Sequence, residues 1–293
     1  MAAQTDQNSK QVTSQWVRET APVLAHTAGG RDWYVLTLQS PQVAARALPG
    51  QFVQIAVPTG TAGAPIDDPL LRRPLSLCTI EPAADRIRVI YRVVGRGTAL
   101  LSAAVVGQRL DVLGPLGRSF PDPSLQGGAL LLIGGGLGIP PLACAGAWAA
   151  AAGRSVTAVL GARHAGDLAG IAQVQATGVP VHVLTEDGGA GRRGRVTDGL
   201  EQRLRHTAEV WACGPEPMLA AIQSACLHAG TPCWLSMERP MACGFGVCAG
   251  CSVPKAADDG YLKACVDGPV FAANVVRLMA ANAAPAQSAT TTD

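Results

Sequence analysis

Two rhythms of apolar positions divide this chain. Between about residues 15 and 121 the apolar residues come in short runs rich in β-formers and bounded by Pro or Gly. RDWYVLTL (31–38), QFVQIAV (51–57), RRPLSLCTI (72–80), RIRVIYRVV (86–94) and QRLDVLG (108–114) each predict a strand, and TALLSAA (98–104) a helix. Several short strands at this spacing predict a small antiparallel barrel. PDPSLQGG (121–128) is turn-rich and marks a boundary.

From about 129 to 232 the period changes. ALLLIGG (129–135), SVTAVLGAR (155–163), VPVHVLTED (179–187) and AEVWACG (208–214) predict strands, and PPLACAGAWAAAA (140–152) and GPEPMLAAIQSACLHAG (214–230) predict helices. Strand and helix in alternation imply a parallel sheet with crossover helices. The remainder holds a cysteine-rich segment and a closing helix, NVVRLMAAN (274–282), while residues 1–14 and the final AAPAQSATTTD read as unstructured. The expected architecture is multidomain α+β: an antiparallel β-barrel over 15–122, an α/β parallel-sheet domain over 126–232, and a small cysteine-bearing domain over 233–280.

Composition removes several function classes. A chain of 293 residues suits two or three domains. With 23 basic and 21 acidic residues it is nearly neutral, which offers nothing to nucleic acid or an anionic membrane. Residues 129–152 carry no charge, but consecutive glycines and Pro140-Pro141 interrupt them, so they read as strand, turn and helix rather than a membrane span. The N-terminus has no apolar core of a signal peptide, so a cytoplasmic chain with reduced thiols is expected.

Four of the nine cysteines carry the strongest signal: Cys243, Cys248, Cys251 and Cys265 are spaced C-x4-C-x2-C-x13-C. The first three match the plant-type spacing for a [2Fe–2S] cluster, with a fourth cysteine further on. Gly244, Gly246 and Gly250 fill the gaps, where glycine permits left-handed turns and leaves amides to point at sulfur. Zinc is the rival, because four thiolates also close a structural zinc site, although such sites usually pair two C-x2-C units. Of the other cysteines, Cys78, Cys144, Cys226 and Cys233 read as small buried hydrophobes.

Gly136, Gly138 and Pro141 form G-x-G-x-x-P between a strand and a helix, a turn that lets a dinucleotide pyrophosphate approach backbone amides. Cys213-Gly214-Pro215 ends another strand, which places Cys213 where a nicotinamide would sit. In the barrel, Arg73-Pro74-Leu75-Ser76 joins a guanidinium to a rigid turn and a hydroxyl. Ile90-Tyr91-Arg92 lies in a strand, and Gly97 and Thr98 open a helix whose N-terminus would receive a further phosphate.

Together these motifs resemble the ferredoxin–NADP reductase superfamily. SMERPMACGFGVCAGCSVP followed by CVDGPVF resembles one branch closely, the electron transfer subunits of dihydroorotate dehydrogenase B (the PyrK family). The superfamily usually has R-x-Y-S where this chain has Leu75, a departure that suits the branch. The resemblance implies that Arg73, Pro74, Leu75, Ser76, Ile90, Tyr91, Arg92, Gly97 and Thr98 hold FAD. It implies that Gly136, Gly138, Pro141 and Gly214 hold NAD, with NADP left open, and that Cys213 serves the nicotinamide. Glu186 and Asp187 would lie near the nucleotide or be plain turn residues, and Arg163, after a strand, would face an adenosine ribose. The four cysteines would ligate [2Fe–2S]. The implied partner is an FMN-containing catalytic subunit, two of each in a heterotetramer, with electrons running from FMN through [2Fe–2S] and FAD to NAD+. Phe245, Val247, Met241 and Phe271 would form the docking face or pack around the cluster. The alternative is a reductase subunit of a hydrogenase, sulfide dehydrogenase or transhydrogenase-type complex.

Overall fold

The computed structural model describes residues 15–57 and 69–278. The tail expected at 1–14 and the final segment lie outside them.

Six strands close a barrel in the order β1-β2-β5-β4-β3-β6. They are β1 (Val17–Ala28), β2 (Trp33–Gln39), β3 (Phe52–Ile55), β4 (Arg73–Glu81), β5 (Arg86–Arg92) and β6 (Arg109–Leu116). Alternation fills the interior: Leu36 and Leu38, Val53 and Ile55, Leu75 and Leu77, Ile87 and Val89, and Leu110 and Val112 form one buried cluster. β1 carries Pro22 at the point where it leaves β6 and takes up β2. A proline is tolerated there because no continuous ladder crosses it. Two short helices accompany the barrel, α1 (Pro41–Ala44) and α2 (Arg96–Ser102).

The second layer is a seven-stranded sheet in the order β10-β9-β8-β7-β11-β12-β15. Its strands are β7 (Ala129–Gly135), β8 (Ser155–Ala162), β9 (Val181–Thr185), β10 (Arg192–Arg193), β11 (Glu209–Cys213), β12 (Cys233–Ser236) and β15 (Val270–Ala272). The main helices are α3 (Pro141–Ala151) and α6 (Glu216–Ala229), with the short α4 (Ile171–Gln175) and α5 (Leu200–Leu204) between them. β7 pairs in parallel with β8 on one side and β11 on the other, so successive crossovers leave the centre in opposite directions. That divergence opens a crevice at the carboxyl ends of the strands.

Two sequence expectations change here. The sheet does not stop at residue 232: β12 and β15 lie beyond it and pair antiparallel, Leu235 opposite Phe271. The cysteine segment is therefore a loop inserted between two neighbouring sheet strands, with its own hairpin of β13 (Ser252–Pro254) and β14 (Tyr261–Lys263). The closing helix is absent from its described part, where 273–278 form turns and an isolated bridge from Val276 to Lys255. Asn274 and the β-branched pair Val275–Val276 are poor helix formers, and Val275 and Val276 pack against the core instead.

Phe120 joins the layers, stacking on Trp211 of β11 at 4.7 Å between ring centroids. Among the described residues no helix is long and apolar enough to cross a membrane.

Candidate functional site

The sheet crevice is a cleft of about 650 Å³ at the ends of β7, β8, β9 and β11. Gly136, Gly138 and Gly214 line it together with Met218, Arg163 and Glu186. Gly136 has φ +55° with nothing within 4 Å of a hypothetical Cβ, which leaves room above the turn for a ligand. Gly138 is required for another reason: a Cβ there would meet the Cys213 carbonyl oxygen at 2.1 Å. Pro141 starts α3, whose fixed φ suits that position. Asp187 turns to His164, 2.9 Å away, and does not line the cleft.

Cys213 closes β11 as its motif suggests, but it is 2% exposed and does not line the cleft. Burial first, then the Glu238 carboxylate, push its thiol up to about 12 against a Ser236 hydrogen bond. It stays protonated at neutral pH, so thiolate chemistry is closed to it. Glu238 is a cleft residue that the sequence reading missed. It follows β12, and an unrecognised strand hides what stands at its carboxyl end. Although one side of Glu238 meets solvent, the surrounding protein raises its carboxyl above the usual range.

On the barrel, Arg73 of β4 and Gly97 of α2 come together so closely that a Cβ on Gly97 would stand 1.9 Å from Arg73 Nε. Arg73 Nη1 donates to the Arg72 carbonyl at 3.1 Å. The Thr98 hydroxyl accepts from the Val94 and Gly95 amides at 2.9 and 3.3 Å and so shapes its own loop. Leu75 and Tyr91 turn into the barrel core, Tyr91 bonding His26 Nε2 at 2.9 Å, while Ile90 and Arg92 face the sheet domain. Arg92 clasps Asp167 across that seam at 2.7 Å and lines the cleft. Pro74 and Ser76 lie half-buried on β4, opposite Gln54 and Phe52.

The four expected ligands converge as two pairs. The Cys251 thiol lies 3.2 Å from that of Cys265, both residues being 2% exposed. Cys243 and Cys248 form the other pair, the Cys248 amide donating to Cys243 Sγ at 3.5 Å. Desolvation would raise the Cys243 pKa, yet the amides of Cys248, Phe245 and Val247 and the Cys248 thiol bring it down to about 6. Amides turned toward sulfur are what a thiolate ligand needs. Two pairs of thiolates suit a two-iron cluster, in which each iron takes two. Lys263 Nζ braces the loop through the Gly246 carbonyl at 2.9 Å.

The loop is held against both other units. A Cβ on Gly117, at the end of the barrel, would meet the Gly268 carbonyl at 2.7 Å, and Arg118 N donates to that same carbonyl. Gln54 of β3 packs against Gly244 and is wholly buried with neither amide atom paired among the described residues. Such an orphan costs about 1–3 kcal/mol. Of the four expected docking residues, Phe245 and Val247 are exposed, at 44% and 78%. Phe271 is 3% exposed in the sheet and Met241 packs on the core, so these two serve local packing.

Residues 238–277 match the family described as the iron–sulfur cluster binding domain of dihydroorotate dehydrogenase B. The electron transfer subunit of dihydroorotate dehydrogenase B (NAD(+)) from Geobacillus thermodenitrificans is 43% identical over 89% of this chain and 99% of its own.

The chain belongs to that family of electron transfer subunits.

The corresponding subunit from Bacillus caldolyticus is 40% identical over the same shares. Among solved structures, a chain of the NADH-dependent reduced ferredoxin–NADP oxidoreductase superposes with a TM-score of 0.76 at 30% identity, covering 88% of this chain and 90% of its own. A cytochrome P450 reductase from Amycolatopsis superposes at 0.60 and 27% identity, covering 74% and 68%. The chain is thus an oxidoreductase subunit on a ferredoxin-reductase-like scaffold with an iron–sulfur binding segment.

Proposed function

We propose that this chain collects electrons from an FMN-containing catalytic subunit that oxidises dihydroorotate, and delivers them in pairs to NAD+ in pyrimidine biosynthesis. In this reading the barrel, from about 15 to 122, takes FAD. The sheet domain takes NAD, and the loop between β12 and β15 takes [2Fe–2S]. When bound, these groups supply the exchange between single-electron and hydride transfer.

The chain's own residues bind and orient. Arg73, laid against Gly97, offers a guanidinium to a phosphate. Gly136 leaves room over the turn, and Gly138 lets the first turn and the end of β11 close on one another. Arg92, clasped to Asp167, fixes the barrel against the cleft so that two ligands bound there keep one distance. The amides around Cys243 hold thiolate charge at the loop. Cys213 acts through its backbone and bulk, as a wall behind the glycine turn.

One observation carries the reading. The thiol loop is tied at both ends to the nucleotide sheet and packed through Gly244 and Gly268 against the barrel, so three candidate sites belong to one body. The fourth site belongs to the partner. No described residue is assigned to dihydroorotate, and the isolated chain is expected to be inactive on it. The apolar group of Phe245, Val247 and Val266, with Trp16 6.2 Å from Phe245 between ring centroids, supports docking at the cluster face. The assembly would hold two of each subunit, in a reducing cytoplasm that keeps the thiols free.

Reconstitution tests this. Dihydroorotate-dependent reduction of NAD+ should require both subunits together. Full activity with the catalytic subunit alone would sink the proposal.

A further inference from the structure

We infer that the side-chain amide of Gln54 donates a hydrogen bond to the sulfur of the iron–sulfur group held by the loop 243–251, and thereby sets how readily that group accepts an electron. The inference rests on reading that loop as the [2Fe–2S] site.

Gln54 interrupts an otherwise apolar strand. Its neighbours Val53 and Ile55 enter the barrel core, and alternation turns Gln54 to the outer face. An outward glutamine on a barrel normally meets water, but this one is 0% exposed because the cysteine loop covers it. A Cβ on Gly244 would come 2.6 Å from Gln54 Nε2 and 2.9 Å from its Cγ, and Gly244 also has φ +81°, so this contact needs glycine. Gly244 directly follows Cys243, so the amide sits beside the first ligand of the loop.

Both ends of the amide lack a partner among the described residues. Buried side-chain amides in folded proteins are nearly always paired, and an unpaired one calls for an explanation. On the strand faces Gln54 stands opposite Pro74 of β4, which has no N–H to offer, and Leu113 of β6, an apolar side chain. The face left to it is the cysteine loop. If the position needed only to fill space, an apolar residue of the same shape would serve as well or better. An N–H donor to cluster sulfur stabilises the reduced, more negative state and raises the reduction potential. Pro74 belongs to the segment proposed for FAD, so Gln54 stands between the two segments that would hold the electron carriers, where such tuning would act on transfer between them.

The test uses the anaerobically purified holo-subunit and Gln54→Met, which keeps length and volume but cannot donate. EPR-monitored titration should find the cluster couple of Gln54→Met more negative than wild type, at equal iron and flavin content. An unmoved cluster couple overturns the inference, and so does a shift confined to the flavin couple. Should Gln54→Met fail to fold, wild type labelled with 15N in glutamine side chains serves instead. Its reduced cluster should show a hyperfine coupling to that nitrogen, and absence of the coupling overturns the inference. Wild type without iron would refute the underlying reading, a result distinct from all of these.

Discussion

Gly138 and Cys213 approach so closely that a Cβ on the glycine would stand 2.1 Å from the cysteine's carbonyl oxygen. The obstacle is strand backbone and cannot swing aside. Gly138→Ala should therefore push the first turn off the end of β11, costing about 1–3 kcal/mol by overpacking. NADH affinity should fall at least about tenfold, a loss of roughly 1.4 kcal/mol. Gly136→Ala meets no atom and should cost only its left-handed backbone, about 1–2 kcal/mol. NADH titrations of both variants, with iron and FAD measured alongside, check this.

The thiols divide by role. Cys251→Ser and Cys243→Ser should each lose most of the iron, whereas Cys213→Ala and Cys144→Ser should retain it. Iron per chain after anaerobic purification is the readout. Iron loss in Cys213→Ala would contradict the assignment.

Flavin retention should depend on Arg73. Arg73→Ala should release FAD on desalting, and Arg73→Lys should rescue poorly, because an ammonium lacks the planar fork. Gly97→Ala should weaken FAD less, since the group it strikes is the flexible end of a side chain. Bound flavin per chain after gel filtration ranks the three.

Docking is expected at the cluster face. Phe245→Asp with Val247→Asp should weaken binding of the catalytic subunit by about 2 kcal/mol or more, roughly thirtyfold. Iron, flavin and NADH affinity of the isolated chain should stay as they are. Sedimentation of the mixed subunits measures the change, and intact binding would move the interface elsewhere.

Acid should weaken the barrel through Asp111. Burial would raise its pKa, but Arg18 and Arg72, at 2.7 and 2.6 Å, hold it below the ordinary 3.8. A carboxylate depressed in the fold contributes stability above its unfolded value and loses it as pH falls through the folded one. Melting temperature should thus drop below about pH 4, and Asp111→Asn should flatten that drop. The effect is at most about 1 kcal/mol, because Arg18 is exposed and the pair is screened.

Much of this molecule can be read in the chain itself. Five of the six barrel strands and the α/β alternation follow from period and punctuation, and the cysteine spacing narrows the chemistry to an iron–sulfur cluster with zinc as its rival. β1 escaped because Pro22 breaks its pattern where the strand changes partners. β12 and β15 escaped because each is only three or four residues long and a loop of more than thirty residues separates β15 from the strand it pairs with. With β12 hidden, Glu238 could not be recognised at a strand end. The burial of Cys213, Leu75 and Tyr91 depends on which face each strand turns inward, and that is decided by neighbours distant in sequence. Gln54 does leave a trace, a lone amide in an apolar strand, but its meaning appears only once the cysteine loop lies over it.

The most direct measurement of the central claim is an absorption spectrum of the anaerobically purified chain with iron, zinc and flavin quantified. The account predicts flavin and iron–sulfur bands, about two irons and about one FAD per chain. A colourless protein carrying zinc would contradict it.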